Sequence, residues 1–190
     1  MTRLGEALWS ASLAFRLGRF DASAVDAFQD DDRTFWRSFW ALPVALLLGF
    51  VATRLMLGAI GAEAGMYRRS PASIAWDVTG ALLSLAVAAE FARAVGKAER
   101  WPRYVVAQNW ASLAQTIVLT LALLGLAILG AASDLVQFAM LAIGFWKLAF
   151  DWYVAKTALQ ITGGQAALLT AVLLALSLVL DRLAYGFATA

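Results

Sequence analysis

The chain has 190 residues, of which 62% are hydrophobic and only 15% charged, with a mean hydropathy of +0.74. A water-soluble domain is about half apolar and about a quarter charged, so this balance excludes an ordinary soluble fold and points to a polytopic helical membrane protein. The formal net charge of +2 is too weak for a nucleic-acid partner, and the absence of cysteine and histidine excludes disulfides, thiol chemistry, the usual zinc sites and histidine-based catalysis.

No signal-peptide hydrophobic region opens the sequence, so no cleaved leader is expected. Lysine occurs only at Lys97, Lys147 and Lys156, arginine dominates, and alanine and leucine are abundant, a composition typical of a GC-rich bacterial genome. Over 3–20 the spacing predicts a helix, with Leu4, Leu8, Ala11 and Phe15 on one stripe and Trp9, Leu13 and Phe20 on a second. Such a helix lies on the membrane surface or packs on its own protein. Asp21, Ser23 and Asp26 predict capping of a second short helix carrying Val25 and Phe28. The run Asp30-Asp31-Asp32 lacks the ligand spacing and glycine turn of a calcium loop and reads as a solvated acidic linker.

The first span is expected at about 39–60, entered through Trp36, Arg37 and Trp40 at a headgroup boundary, with Pro43 in its first turns. Ala41, Ala45, Gly49 and Thr53 recur every four residues, a small-residue stripe that admits another helix closely. Arg54 lies off that stripe and either snorkels or pairs with an acid. After a loop holding Arg68 and Arg69, the second span is expected at about 72–95, with Gly80, Ser84, Ala88, Ala92 and Gly96 as its own small stripe. A basic hairpin from Lys97 to Arg103 leads to a third span at about 104–131. Its first half carries Gln108, Ser112 and Gln115 on one face and Asn109, Thr116 and Thr120 on a neighbouring one. Buried amides need partners in a bilayer, so this half should face the interior and the plain second half should face lipid. The fourth span, about 135–155, and the fifth, about 165–183, complete five spans of roughly the ~20 residues a bilayer requires.

The basic residues set an orientation. With the N-terminus cytoplasmic, Arg3, Arg16, Arg19, Arg33, Arg37, Arg93, Lys97, Arg100, Arg103 and Lys156 lie inside against Arg68, Arg69 and Arg182 outside, a bias of ten to three. The C-terminus is then periplasmic and the membrane a bacterial inner membrane. In that frame Glu90, Gln108, Ser112, Gln115, Lys147 and Asp151 reach comparable depths on the cytoplasmic side and form a candidate intramembrane polar cluster. Lys147 and Asp151, four residues apart in the aromatic stretch from Phe145 to Tyr153, share one helix face. The cluster either lines a cavity for a small solute, ion or headgroup, or it pairs internally and staples helices. In the second case Lys147 meets Asp151 or snorkels, and Glu90 meets Arg93.

The run Phe35-Trp36-Arg37-Ser38-Phe39-Trp40-Ala41-Leu42-Pro43, with Trp152-Tyr153-Val154-Ala155-Lys156-Thr157-Ala158-Leu159, resembles a group of alphaproteobacterial multi-pass membrane proteins. More distantly, a cytoplasmic N-terminus ahead of five spans is similar in layout to the Yip1 superfamily, whose eukaryotic members act as interaction proteins in vesicle traffic. The resemblance carries over no site residue.

The expected fold is therefore all-α, a five-transmembrane-helix bundle (35–190) behind a short amphipathic N-terminal helical region (1–34). The leading expectation for function is a non-enzymatic integral membrane protein acting through protein contacts, as scaffold, accessory subunit or assembly factor. Its expected partners are membrane lipids and a protein partner or a second copy, with no cofactor, metal or catalytic residue. The alternative is a small transporter or channel using the polar cluster around Lys147 and Asp151.

Overall fold

The computed structural model describes residues 3–21, 23–27, 31–59 and 71–189. Among them the regular structure is helical throughout: α1 (Arg3–Leu17), α2 (Ser23–Asp26), α3 (Asp32–Ser38), α4 (Ala41–Ala59), α5 (Pro71–Ala94), a 3-10 turn (Ala98–Arg100), α6 (Trp101–Ile128), α7 (Ser133–Ala158) and α8 (Gly163–Thr189). Five stretches are long and apolar enough to cross a membrane: Asp32–Gly58, Ala75–Ala94, Ala98–Ile128, Ser133–Ala158 and Gly163–Leu183. They correspond to the five expected spans. The loop holding Arg68 and Arg69, and the positions of Phe28 and Asp30, lie outside the described residues.

Helix ends follow local chemistry. Gly96 ends α5 at a φ of +69°, with the Lys97 N–H closing on the Ala92 carbonyl at 2.7 Å. Pro102 then sits in the first turn of α6, where the missing amide has no helical partner to lose. This starts the third span at Trp101 rather than near Tyr104. Gly130, at a φ of +61°, stops it near Ile128. Two other helices end the same way without glycine. Phe20 holds a φ of 62° after α1 and Gln160 a φ of 52° after α7. The left-handed region costs a residue with a Cβ about 1–2 kcal/mol, and glycine there gives back part of that gain in unfolded-chain entropy. Gln160→Gly is therefore expected to stabilise the protein by about 0.5–1 kcal/mol, read as a higher melting temperature in detergent. A lower melting temperature would mean that the exposed glutamine side chain contributes more than its backbone costs.

The acidic run proves to be a helix start rather than a bare linker. Asp31 has extended backbone angles, and its Oδ1 accepts the Thr34 N–H at 2.8 Å, capping α3. Asp21 accepts both the backbone N–H and the hydroxyl of Ser23 ahead of α2, and pairs with Arg16 at 2.7 Å. The Ser23 hydrogen bond, followed by the Arg16 guanidinium, holds the Asp21 carboxyl below its ordinary range.

The centre of the molecule is α6, which touches α1, α3, α4, α5 and α7, while α8 closes the group between α7 and α5. Its first half is buried on nearly every side, and Leu121, Leu124 and Ile128 of its second half are exposed. The α1 helix joins the same core through Leu13, Ala14 and Leu17, each at most 1% exposed, while Phe15 faces outward, against its expected place in a packing stripe. The reason lies just beyond the helix. A Cβ on Gly18 would meet the Phe150 ring at 3.1 Å, so the absence of a side chain lets this turn rest on α7. Tyr153 Oη donates to the Phe20 carbonyl at 2.6 Å and the two rings meet edge to face. Trp146 Nε1 donates to the Gly18 carbonyl at 3.4 Å, so Trp146 and Tyr153 together hold the turn that follows α1.

Both small-residue stripes are used inside the chain. Ala41 is buried and Ala45 packs against the core, with α4 lying closely along α6. Ala88 and Ala92 are fully buried on α5, and Gly80 faces the Leu180 side chain of α8. Thr53 returns its hydroxyl to the Gly49 carbonyl at 2.8 Å. Arg54 is exposed and lies over the Phe50 ring, 5.0 Å from its centre, rather than on an acid.

Candidate functional site

Asp151 gathers polar groups from two helices. Its Oδ2 accepts the Lys147 ammonium at 2.6 Å, one turn back on α7. Its Oδ1 accepts the Gln115 side-chain amide at 2.7 Å and that of Gln108 at 3.3 Å, both from α6. Helical spacing places these groups. Gln108, Ser112 and Gln115 recur at four and three residues and so stack on one face of α6. Phe150, Val154 and Ala158, all fully buried, fix the rotation of α7 and leave Asp151 beside that face. The Asp151 side chain is 19% exposed and the Lys147 side chain 54%. The carboxylate is held, and the ammonium reaches outward along its stem.

Next to this pair lies a cavity of about 230 Å³ among α4, α5, α6, α7 and α8. Polar side chains line it from four helices: Ser84 of α5, Gln108, Asn109 and Ser112 of α6, Lys147 and Asp151 of α7, Thr170 and Ser177 of α8. The Tyr104 ring, 2% exposed, forms part of the wall with Leu85 and Leu148. Two polar atoms here are buried without a hydrogen-bond partner among the described residues, Gln108 Oε1 and Thr170 Oγ1. Gln108, Thr170 and Asp151 each lie seven residues from a helix end, the N-terminal ends of α6 and α8 at Trp101 and Gly163 and the C-terminal end of α7 at Ala158. At 1.5 Å per residue that is roughly 10 Å in.

Of the six residues expected to cluster, five meet here: Gln108, Ser112, Gln115, Lys147 and Asp151. Glu90 does not. It is exposed on the outside of α5 and pairs with Arg93. Ala88 and Ala92 define the inward face of α5, and a residue two positions on from Ala88 is turned about 200° from it. The second polar face of α6 makes its hydrogen bonds elsewhere, although Asn109 also borders the cavity. Asn109, 3% exposed, donates to Ser38 Oγ at 2.9 Å, and Thr120 donates to its own helix at 2.7 Å. Sequence reasoning passed over Thr170 and Ser177, in a span that looks uniformly apolar, and took Ser84 for packing alone. The signal was the seven-residue spacing of the two hydroxyls, which puts them on one face of α8.

No group of three or more carboxylate, histidine or cysteine side chains gathers among the described residues. The chemistry on offer is recognition: one carboxylate, one movable ammonium, and hydroxyl and amide groups that can donate or accept, set among apolar side chains. Comparison of the chain with family models, curated proteins and solved structures finds no match, so the site has to be read from its own chemistry.

Proposed function

We propose that this chain is an integral protein of a bacterial inner membrane, N-terminus cytoplasmic and C-terminus periplasmic, that binds a small polar solute in the cavity around Asp151. It acts as a small transporter or as the solute-binding part of one. The observation that carries this reading is a cavity walled by polar side chains from four helices around one carboxylate, with two buried polar atoms of that wall's residues, Gln108 Oε1 and Thr170 Oγ1, left without partners. Leaving a buried polar atom unpaired costs about 1–3 kcal/mol, and such atoms persist where a ligand or solvent completes them. A stapling network would satisfy its own members instead. The expected role through protein contacts drew on the two small stripes, the surface helix and the missing catalytic chemistry; of these, the stripes pack α4 on α6 and α5 on its neighbours within the chain.

The orientation follows from charge. Arg37, Arg93, Lys97, Arg100, Arg103 and Lys156 lie at or just beyond the helix ends that the cavity is nearest to. The positive-inside rule makes that end cytoplasmic. The natural chain has no cysteine, so single reporters need no background removal. Ser84→Cys is expected to react with a trimethylammonium methanethiosulfonate in inverted vesicles and not in right-side-out spheroplasts. Leu121→Cys, on the exposed apolar half of α6, should react in neither. An unreactive Ser84→Cys in both preparations would defeat the cavity, and reaction from the periplasmic side alone would reverse the orientation.

A further inference from the structure

The lining of the cavity also selects a class of solute, an inference that rests on the solute-binding reading above. Its one fixed negative charge is the Asp151 carboxylate, and the side-chain amides of Gln108 and Gln115 and the ammonium of Lys147 are already engaged on it. The hydroxyls of its wall, on Ser84, Ser112, Tyr104 and Thr170, can each donate or accept. Gln108 Oε1 and Thr170 Oγ1 are buried and unpartnered, and Ser177 gives its proton to the Leu174 carbonyl at 2.8 Å, which leaves its lone pairs for another group. The hydroxyls suit a solute of either polarity, so the wall selects by charge, and its carboxylate favours a cation. An anion would have to draw Lys147 away and would then stand beside an unbalanced carboxylate.

We propose that the cavity takes a small monovalent cation, either a metal ion or a primary ammonium compound, and that Lys147 is a built-in competitor occupying Asp151 until the cation displaces it. The exchange keeps the charge constant, because one positive charge leaves the carboxylate as another arrives. Asp151 is therefore never stranded at membrane depth, which is the costly state. Lys147 has somewhere to go, since its side chain is already 54% exposed and its flexible stem reaches toward the headgroups. The cavity volume of about 230 Å³ matches about eight waters at ~30 Å³ each, which limits the solute to a few heavy atoms.

The two members of the pair then act in opposite directions, and that is the test. Protection of Ser84→Cys from the methanethiosulfonate is measured in inverted vesicles with sodium, potassium, ammonium and methylammonium chlorides. N-methylglucamine chloride serves as the bulky reference, N-methylglucamine formate as the anionic probe and urea as the neutral one. At least one small cation is expected to protect, and the series separates the metal ions from the ammonium compounds. Lys147→Ala should lower the half-protecting concentration by about fivefold or more, since it removes the competitor. Asp151→Asn, which retains an oxygen to accept from Gln115, should raise it by at least ~10-fold. Weaker protection in Lys147→Ala, or protection by formate or urea equal to that by the cations, would overturn the cation proposal. So would a Ser84→Cys that reacts from the cytoplasmic side but is protected by nothing. A Ser84→Cys that never reacts would instead remove the solute-binding reading itself.

Discussion

Asp151→Leu is expected to destabilise the protein by about 2–3 kcal/mol, well beyond the effect of removing its ionic partner. Three donors lose their acceptor at once: the Lys147 ammonium, the Gln115 amide and the Gln108 amide. Gln115 is 5% exposed, so its amide cannot turn to water, whereas Lys147 is half exposed and can. Lys147→Met should therefore cost less than ~1 kcal/mol, in the range of an exposed ion pair. Asp151→Asn should fall between the two. Thermal unfolding in a mild detergent, followed by the fluorescence of the eight tryptophans, ranks the three variants. A larger loss in Lys147→Met than in Asp151→Leu would mean that charge balance, and not hydrogen bonding, holds this site together.

The second large effect is expected on the inward face of α5. Ala88 is fully buried among the core helices, and Ala88→Leu adds three carbons where backbone and side chains already meet. Overpacking of this kind costs ~1–3 kcal/mol, and here it also forces apart the helices that frame the cavity. Gly80→Leu should be milder. The first added carbon meets only Leu180 Cδ1, at 3.3 Å, and that end of a flexible side chain can move. Gly125→Leu should be silent, because a Cβ there meets nothing within 4 Å. Melting temperature and monodispersity on size exclusion give the order. If Gly80→Leu proved worse than Ala88→Leu, the tight seam of α5 would lie against α8 and not against the core.

Much of the fold was legible because the signals behind it are local. A run of about 20 apolar residues has few alternatives to a helix, since a bilayer or a dry core leaves backbone groups no partner but one another. The five expected spans accordingly correspond to α4–α8, and the helix expected over 3–20 to α1. The two polar faces of α6 and the Lys147–Asp151 pairing were readable for the same reason, since residues three and four apart share a face in any α-helix. The cap at Asp31 was local too. It was missed because three consecutive acids read as a charge run before they read as a helix start.

What the tertiary structure alone decided was which face each helix turns inward. Sequence depth put Glu90 level with Asp151, yet the burial of Ala88 and Ala92 rotates it to the outside. The same rotations bring Thr170 and Ser177, two hydroxyls in a plain apolar span, to the cavity that holds Asp151. Docking of α1 on Phe150 and Tyr153 pairs residues more than a hundred positions apart, through a turn at Gly18 and Phe20 that no periodicity announces. Spacing along one helix fixes neighbours on that helix. Contacts between helices depend on how small and large side chains interlock across them, and that is settled only when all the helices pack together.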